Sequence, residues 1–414
     1  MVRLKGFDKL SSVDEALSIF HCQLKLDRMS STWIPTIRAL GQVVADDIFA
    51  GSDLPPFDRS AVDGYALRAH DTFGASQFNP RILKLTRNDK LGENQAREIW
   101  TGNPLPEGAD AVVMLEHTRL KTSGLEVWVP VTPGRNVSKQ GEDVRNGDLA
   151  IQSGTRLKPH HMGLLAALGL TRVSVVEKPR IAILSTGNEI VELGHKPGFG
   201  QVVGVNRIII SCLCQELGAD SVDLGIVKDD SDEIAEKVRG ALERTEMLVT
   251  TGGTSVGHAD VVPATVNKVG APGVVVHGIA MRPGMPTALA ILKGKPVVIL
   301  PGNPVAAFFG FEVFARPLIH QMLGIRYEPR PTIVVKMTEK APSALGRRVF
   351  LRVRVSQRKG EYFAEPIRIK GAGILSTMTQ ANGYVIIPEV CEGLEKGESI
   401  KAHLFDKVEG EKHV

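Results

Sequence analysis

A strand-like run that breaks straight into glycines constrains this chain more than any other stretch. Met247–Thr250 is mostly apolar and continues into Thr251-Gly252-Gly253-Thr254-Ser255-Val256-Gly257, the pattern of a buried strand ending in a tight turn. Glycine lets backbone amides approach a ligand closely, and the hydroxyls of Thr251, Thr254 and Ser255 add donors suited to phosphate oxygens. His258 and Asp260 follow within three residues of Gly257 and bring ionisable groups to the same rim. The plainer reading is a strand-to-helix turn whose small residues only permit tight packing. Neither the Walker spacing nor GxGxxG occurs here, so a P-loop or a standard dinucleotide turn is not expected.

The residues around this stretch repeat its pattern. Ile181–Leu184 reads as an apolar strand left by Ser185-Thr186-Gly187-Asn188-Glu189, and Asn206–Leu217 as a helix closed by Gly218. Val222–Val227 is the next strand, and Lys228-Asp229-Asp230 leads into a helix capped by Ser231. Gly273–Val276 and Val297–Leu300 add short strands, after which Pro301-Gly302-Asn303-Pro304 enters a long helix to Leu323. Such alternation predicts a doubly wound α/β domain with a parallel sheet, whose ligands gather at the carboxyl ends of the strands. One sheet edge then collects Glu189, Asp229, Asp230 and Asp260. Singly, each suits a helix cap, since first-turn acids favour the helix dipole. Together they form an oxygen ligand set for a hard cation such as Mg²⁺. Arg282, in Met281-Arg282-Pro283-Gly284-Met285-Pro286, is either a fork for an oxyanion or half of a surface ion pair.

The flanking regions read differently. Ser12-Val13-Asp14-Glu15 is a capping box opening an amphipathic helix, and Ile37–Ile48 resumes helical spacing until Leu54-Pro55-Pro56. Lys158-Pro159-His160-His161 opens another helical stretch, on which the two histidines read as solvent-facing or capping groups. Between these lie strand-like segments near Ile82–Leu85, Arg97–Trp100, Ala111–Glu116 and Glu126–Val131. The expectation is an elongated N-terminal helical domain (residues 1–50 and 136–178) with a small β domain inserted at 51–135. The α/β domain follows at 179–328 and a C-terminal β-barrel domain at 329–414. In Pro55–Ala66, Asp63-Gly64 suits a hairpin turn, while Asp58, Arg59, Ser60 and Asp63 together suit a functional loop. Both readings stand.

At 414 residues the soft length prior is about three domains. A net charge of +4 with both signs interspersed does not indicate nucleic-acid binding. The first residues lack a signal-type apolar core, and no run approaches the ~18 apolar residues of a membrane span, so neither secretion nor membrane insertion is expected. The four cysteines form no CxxC pair, which fits reduced thiols in the cytoplasm.

In order along the chain, PPFDRSAVDGYA, WTGNPLPEGADAVV, QGEDVRNGD, STGNE, TTGGTSVGHAD and PGNPVAA resemble the MoeA-type molybdopterin molybdenumtransferases, which include the E domain of gephyrin. The resemblance spans nearly the whole chain. It implies a homodimer whose active clefts form between the α/β domain of one subunit and the small β domain of the other. It implies a transferase that takes adenylylated molybdopterin, made upstream by a molybdopterin adenylyltransferase, cleaves the adenylyl anhydride with release of AMP and inserts molybdate. By motif, Asp63, Thr101, Glu189, Asp229 and Asp260 match functionally important positions, and Asp143 matches a residue lining the cleft. Ser185, Thr186, Gly252, Gly253, Ser255, Gly257 and Pro301, Gly302, Asn303, Pro304 match substrate contacts. Arg282 and Arg352 fall where basic groups serve the oxyanion. Met285, Gly278, Gly204 and Ala372 depart from the family pattern, and they leave tungstate open beside molybdate, as in an archaeal or tungsten-handling member. Two other readings stand beside this one: a molybdopterin adenylyltransferase, whose smaller family shares the α/β domain, and a non-catalytic gephyrin-like scaffold.

Overall fold

A computed structural model of the chain describes residues 10–254, 261–325, 328–367 and 373–410. They fall into two compact units, one of Trp33–Val175 and the other of Met1–Thr32 with Val176–Val414.

The larger unit opens with helix α1 (Val13–Gln23), where the amide of Glu15 donates to Ser12 Oγ at 3.1 Å and the capping box forms as the sequence predicts. Its centre is a six-stranded sheet of β1 (Arg180–Thr186), β2 (Asp220–Val227), β3 (Met247–Thr251), β4 (Pro272–His277), β5 (Ala288–Leu292) and β6 (Lys295–Leu300), in the order β2-β1-β3-β6-β5-β4. Helices α2 (Asn206–Leu217), α3 (Ser231–Arg244) and α4 (Val261–Val269) connect its first strands. β2, β1, β3 and β6 run parallel, whereas β5 is antiparallel to both of its neighbours, β6 and β4. The uniformly parallel expectation fails there for a local reason. Lys293 and Gly294 both take positive φ, 52° and 74°, which makes a two-residue hairpin turn and forces β5 and β6 to oppose one another.

Every residue of β3, β5 and almost all of β1 and β6 is buried. The core of Ala182, Leu184, Leu248, Val262 and Ile299 is therefore covered on both sheet faces. Truncating a leucine such as Leu184 to alanine costs about 2–5 kcal/mol in such a setting. The long helix after Pro304 is interrupted. Pro304–Gly310 and Arg316–Met322 are α-helical, and Phe311–Ala315 is a π-turn. Pro317 cannot donate to the preceding turn and its ring crowds it, so the widened turn absorbs the misfit.

Beyond this helix a closed five-stranded barrel forms from β7 (Thr332–Met337), β8 (Arg348–Arg358), β9 (Glu361–Pro366), β10 (Gly383–Ile387) and β11 (Ser399–Leu404). Neighbours run β8-β9-β7-β11-β10, and β10 pairs back onto β8. Val335, Met337, Val353, Val355 and Val385 fill it. Arg330, at the entry to the barrel, is buried between Glu312 (2.8 and 2.9 Å) and Glu216 (2.9 Å) and ties it to the α/β helices.

In the Trp33–Val175 unit a six-stranded sheet runs in the order Ala111–Met114, Gly64–Leu67, Gln95–Ile99, Arg81–Leu85, Gly124–Val127, Thr118–Lys121, around Tyr65, Leu67, Leu83, Val113 and Leu125. The surrounding region, read from sequence as helical, is mostly strand and turn. Only the first residues of the expected Ile37–Ile48 helix coil, within the single 3-10 turn Thr36–Arg38. Gly41 then donates to Leu157 O and Val44 to Thr155 O, and Ile48–Phe49 pairs with Leu149–Ile151. Burial of Ala39 and Val44 against Leu157, Leu165 and Val173 overrides the local helical spacing. Among the described residues, Pro159–Ala167 is this unit's α-helix, with His161 Nδ1 accepting from the Lys158 amide at its start.

Candidate functional site

Strand order reverses between β1 and β3, since the chain winds to β2 on one side and to β6 on the other. Doubly wound sheets open their ligand crevice at such a point. Here Ser185 and Thr251 face one another in register, and their hydroxyls hydrogen bond at 2.9 Å. The next residues are shaped by contact. Gly252 has φ 93°, and a β-carbon on it would lie 2.1 Å from the carbonyl oxygen of Thr186, so only glycine fits. Thr186 Oγ1 is buried without a hydrogen-bond partner among the described residues and lies toward Gly253.

A cavity of about 680 Å³ opens at these strand ends. Ser185, Glu189, Gly252 and Gly253 line one part of it, and the Pro301–Pro304 turn lines another. Ile190, Val202 and Val203 supply an apolar wall. Asn206, read from sequence only as the start of a helix, is buried there and donates from Nδ2 to Gly302 O at 2.8 Å, fixing the PGNP turn. Ser255, Gly257 and Asp260 lie outside the described residues.

Of the four carboxylates expected to share a ligand set, Glu189, Asp229 and Asp230 fall within the described residues. Asp230 caps α3, its Oδ1 accepting from the amides of Asp232 and Glu233 at 2.9 Å each. The cap is thus Asp230 rather than Ser231. Among the described residues no three His, Cys, Asp or Glu side chains cluster as a metal site. Glu189 and Asp229 do come together. Asp229 keeps a side open to solvent, yet partial desolvation and then the Glu189 carboxylate push its pKa up, while the Asn188 side chain accepts from its amide. Two neighbouring carboxylates offer the hard oxygen donors that a divalent cation takes.

A second cavity, of about 910 Å³, lies between the α/β domain and the barrel and shares Pro286, Pro301 and Asn303 with the first. Arg282 reaches it from the β4–β5 loop, and Arg347 and Arg352 from β8 and its approach. Arg282 and Arg347 form no ion pair with any described residue, so the surface ion pair considered for Arg282 is not made among them. Arg352 Nε and Nη1 are buried with no partner among the described residues, and burial pushes the guanidinium pKa down. A buried cation without a counter-ion is costly, and an anionic ligand relieves that cost. Met285 adds an apolar side chain to the lining. Arg347 was not distinguishable in sequence from other arginines.

In the Trp33–Val175 unit, motifs far apart in sequence form one loop cluster. Thr101 donates from its amide (2.8 Å) and hydroxyl (2.7 Å) to Asp63 Oδ1. These two donors hold the Asp63 carboxyl below the usual aspartate range. Gly102 donates to Ser60 O and Ser60 to Asn103 O, joining the DRSAVDG loop to WTGNP. Asp58 binds Lys139 Nζ at 2.7 Å and accepts from the Gln140 amide at 2.8 Å, joining both to QGED. Glu142 accepts from Ser138, and Asp143 donates from its amide to Leu54 O. Asp63-Gly64 is therefore both a turn into strand Gly64–Leu67 and a fixed, ionised carboxylate.

Residues 11–169 match the MoeA N-terminal region (domain I and II), 182–321 the probable molybdopterin binding domain, and 334–405 the MoeA C-terminal region (domain IV). The chain is 37% identical over 380 residues to a putative molybdopterin biosynthesis protein of Methanocaldococcus jannaschii, covering 90% of this chain and 92% of that protein. It is 32% identical over 411 residues to the molybdopterin molybdenumtransferase of Bacillus subtilis, covering 96% and 95%. The crystal structure of a molybdopterin biosynthesis MoeA protein from Pyrococcus horikoshii superimposes with a TM-score of 0.82 at 31% identity, over 96% of this chain and all of that one. The chain belongs to the MoeA family of molybdopterin molybdenumtransferases.

Proposed function

We propose that this chain is a molybdopterin molybdenumtransferase that inserts molybdate into adenylylated molybdopterin and releases AMP. The observation that carries this reading is the continuity of two unlike cavities through Pro286, Pro301 and Asn303. The phosphate-bearing end of the pterin nucleotide rests on the Gly252-Gly253 turn beside the Thr186 hydroxyl, a buried donor that has no partner among the described residues and suits phosphate oxygens. The oxyanion sits among Arg282, Arg347 and Arg352, whose charges have no counter-ion among the described residues. Both reactants are thereby held side by side, which is the larger part of what a group transfer needs. Glu189 and Asp229 would hold Mg²⁺, which when bound supplies Lewis acidity toward the anhydride oxygens. Asp63, held ionised by Thr101, serves to orient the dithiolene end of the substrate.

In this reading the protein is a cytoplasmic homodimer, and Asp63, Thr101 and Asp143 of one subunit complete the site of the other. A molybdopterin adenylyltransferase supplies its substrate. Tungstate shares the charge and shape of molybdate and is accepted by the same guanidiniums. Incubating the purified protein with adenylylated molybdopterin and either oxyanion tests this. Release of AMP together with metal-loaded pterin is expected. ATP consumption with unadenylylated pterin, or binding without turnover, would replace the reading by an adenylyltransferase or a scaffold.

A further inference from the structure

The loop that carries Arg282 into the oxyanion cavity is gripped from both sides by segments remote in sequence. On one side Ser11 pairs with Ile279: its amide donates to Gly278 O at 3.1 Å and its carbonyl accepts from Ala280 at 2.7 Å. On the other, Met281 and Arg282 run parallel to the first residues of β8, and the Arg348 amide donates to Ala280 O at 2.9 Å. Ser11 also leads, within three residues, to Asp14 in the first turn of α1. The Asp14 carboxylate accepts two hydrogen bonds from Arg348, 3.0 Å at Nη1 and 2.7 Å at Nη2. Arg348 Nε faces Glu389, at the end of the barrel strand β10, at 3.0 Å. α1 itself is anchored by Val13, Ala16 and Phe20, all buried.

These contacts close a ring: Ser11, the Gly278–Arg282 loop, β8, the Arg348 side chain, Asp14 and back to Ser11. We propose that Arg348 is a positioning residue for the oxyanion, acting through this ring to hold Arg282 and Arg347 on the cavity wall. Arg348 does not line the cavity, whereas its chain neighbours Arg347 and Val349 do. A bidentate guanidinium–carboxylate fork fixes orientation as well as distance, which a lysine cannot reproduce. Loosening the fork costs little fold stability, because Asp14 is largely exposed and exposed pairs contribute little. The loss falls instead on the placement of Arg282 and Arg347.

The inference rests on the oxyanion reading of the cavity, so the test separates the two. Molybdate alone is titrated by calorimetry into the full-length wild type, Arg352→Met, Asp14→Asn and Arg348→Lys, with KM for molybdate and for adenylylated molybdopterin measured in parallel. The expected result is tight binding by wild type and binding weakened about tenfold to a hundredfold in Arg352→Met. Asp14→Asn and Arg348→Lys should weaken molybdate binding about three- to tenfold and raise its KM in step, with kcat and the KM for the pterin unchanged. Wild-type molybdate affinity in Asp14→Asn and Arg348→Lys, or a matching rise in both KM values, would overturn the positioning role while leaving the cavity assignment intact. Failure of the wild type to bind molybdate would overturn both.

Discussion

The two cavities of the Val176–Val414 unit meet at Pro286, Pro301 and Asn303, yet one is made by main chain and the other by side chains. The first takes its character from Gly252, Gly253 and the Pro301–Pro304 turn, where amides and small residues form the wall. The second takes its character from three guanidiniums on a loop and a barrel strand. The difference teaches where each site is vulnerable. A wall of backbone is lost when the fold is disturbed, whereas a wall of side chains can be stripped while the fold stands.

The largest effect should come from breaking the backbone wall. Gly252→Ala places a methyl 2.1 Å from Thr186 O at a left-handed φ, so chemical denaturation should show a loss of about 3 kcal/mol or more. Gly302→Ala is the contrast, since its β-carbon finds its nearest neighbour, Gly252 Cα, at 3.7 Å. It should stay within about 0.5 kcal/mol of wild type. Equal stability of the two variants would break the comparison.

Stripping the side-chain wall should give the opposite signature. Arg352→Met removes a charge-assisted partner of the oxyanion and should weaken molybdate binding about tenfold to a hundredfold, the equivalent of about 1.5–3 kcal/mol. Its melting temperature should hold or rise, because a buried unpartnered cation has been removed. A lowered melting temperature with unchanged molybdate affinity would make Arg352 a structural residue.

The smallest stability effect belongs to Asp229. Burial and Glu189 raise its folded pKa above the ordinary 3.8. Its favourable contribution is therefore present below that value and lost as pH rises through the folded pKa, leaving a net cost at neutral pH. Asp229→Asn should melt at or above the wild-type temperature at pH 7 and match or fall below it near pH 3, while turnover falls. A fall in melting temperature confined to pH 7 would contradict the sign.

Much of this was legible in the sequence where one signal sufficed. Gly218 ended the helix Asn206–Leu217 as expected, and Ser12 with Glu15 started α1. The glycine turn after Met247 was legible because no other residue serves that backbone. Pattern failed where long-range packing decided. Ile37–Ile48 carries helical spacing but pairs with Leu157, Thr155 and Leu149–Ile151 instead. Ala288–Leu292 is buried on both faces and has no alternation to betray it, and Lys293-Gly294 is a less familiar hairpin pair than Asn-Gly. Asp230 showed its carboxylate but not its use, since a cap and a ligand carry the same side chain. Arg347 and Arg348 adjoin in sequence, yet one lines the oxyanion cavity and the other grips Asp14. Only the position of β8 against the Gly278–Arg282 loop separates them.

The central claim, that loops from two copies complete one site, is tested most directly by subunit complementation. Asp63→Asn and Arg352→Met homodimers are each expected to lack turnover. After dissociation and random reassociation, each mixed dimer holds one intact site if the loops come from opposite subunits, and AMP release should return to about a quarter of wild type. If mixing restores nothing although mixed dimers form, the site lies within a single chain and the shared-cleft account is wrong.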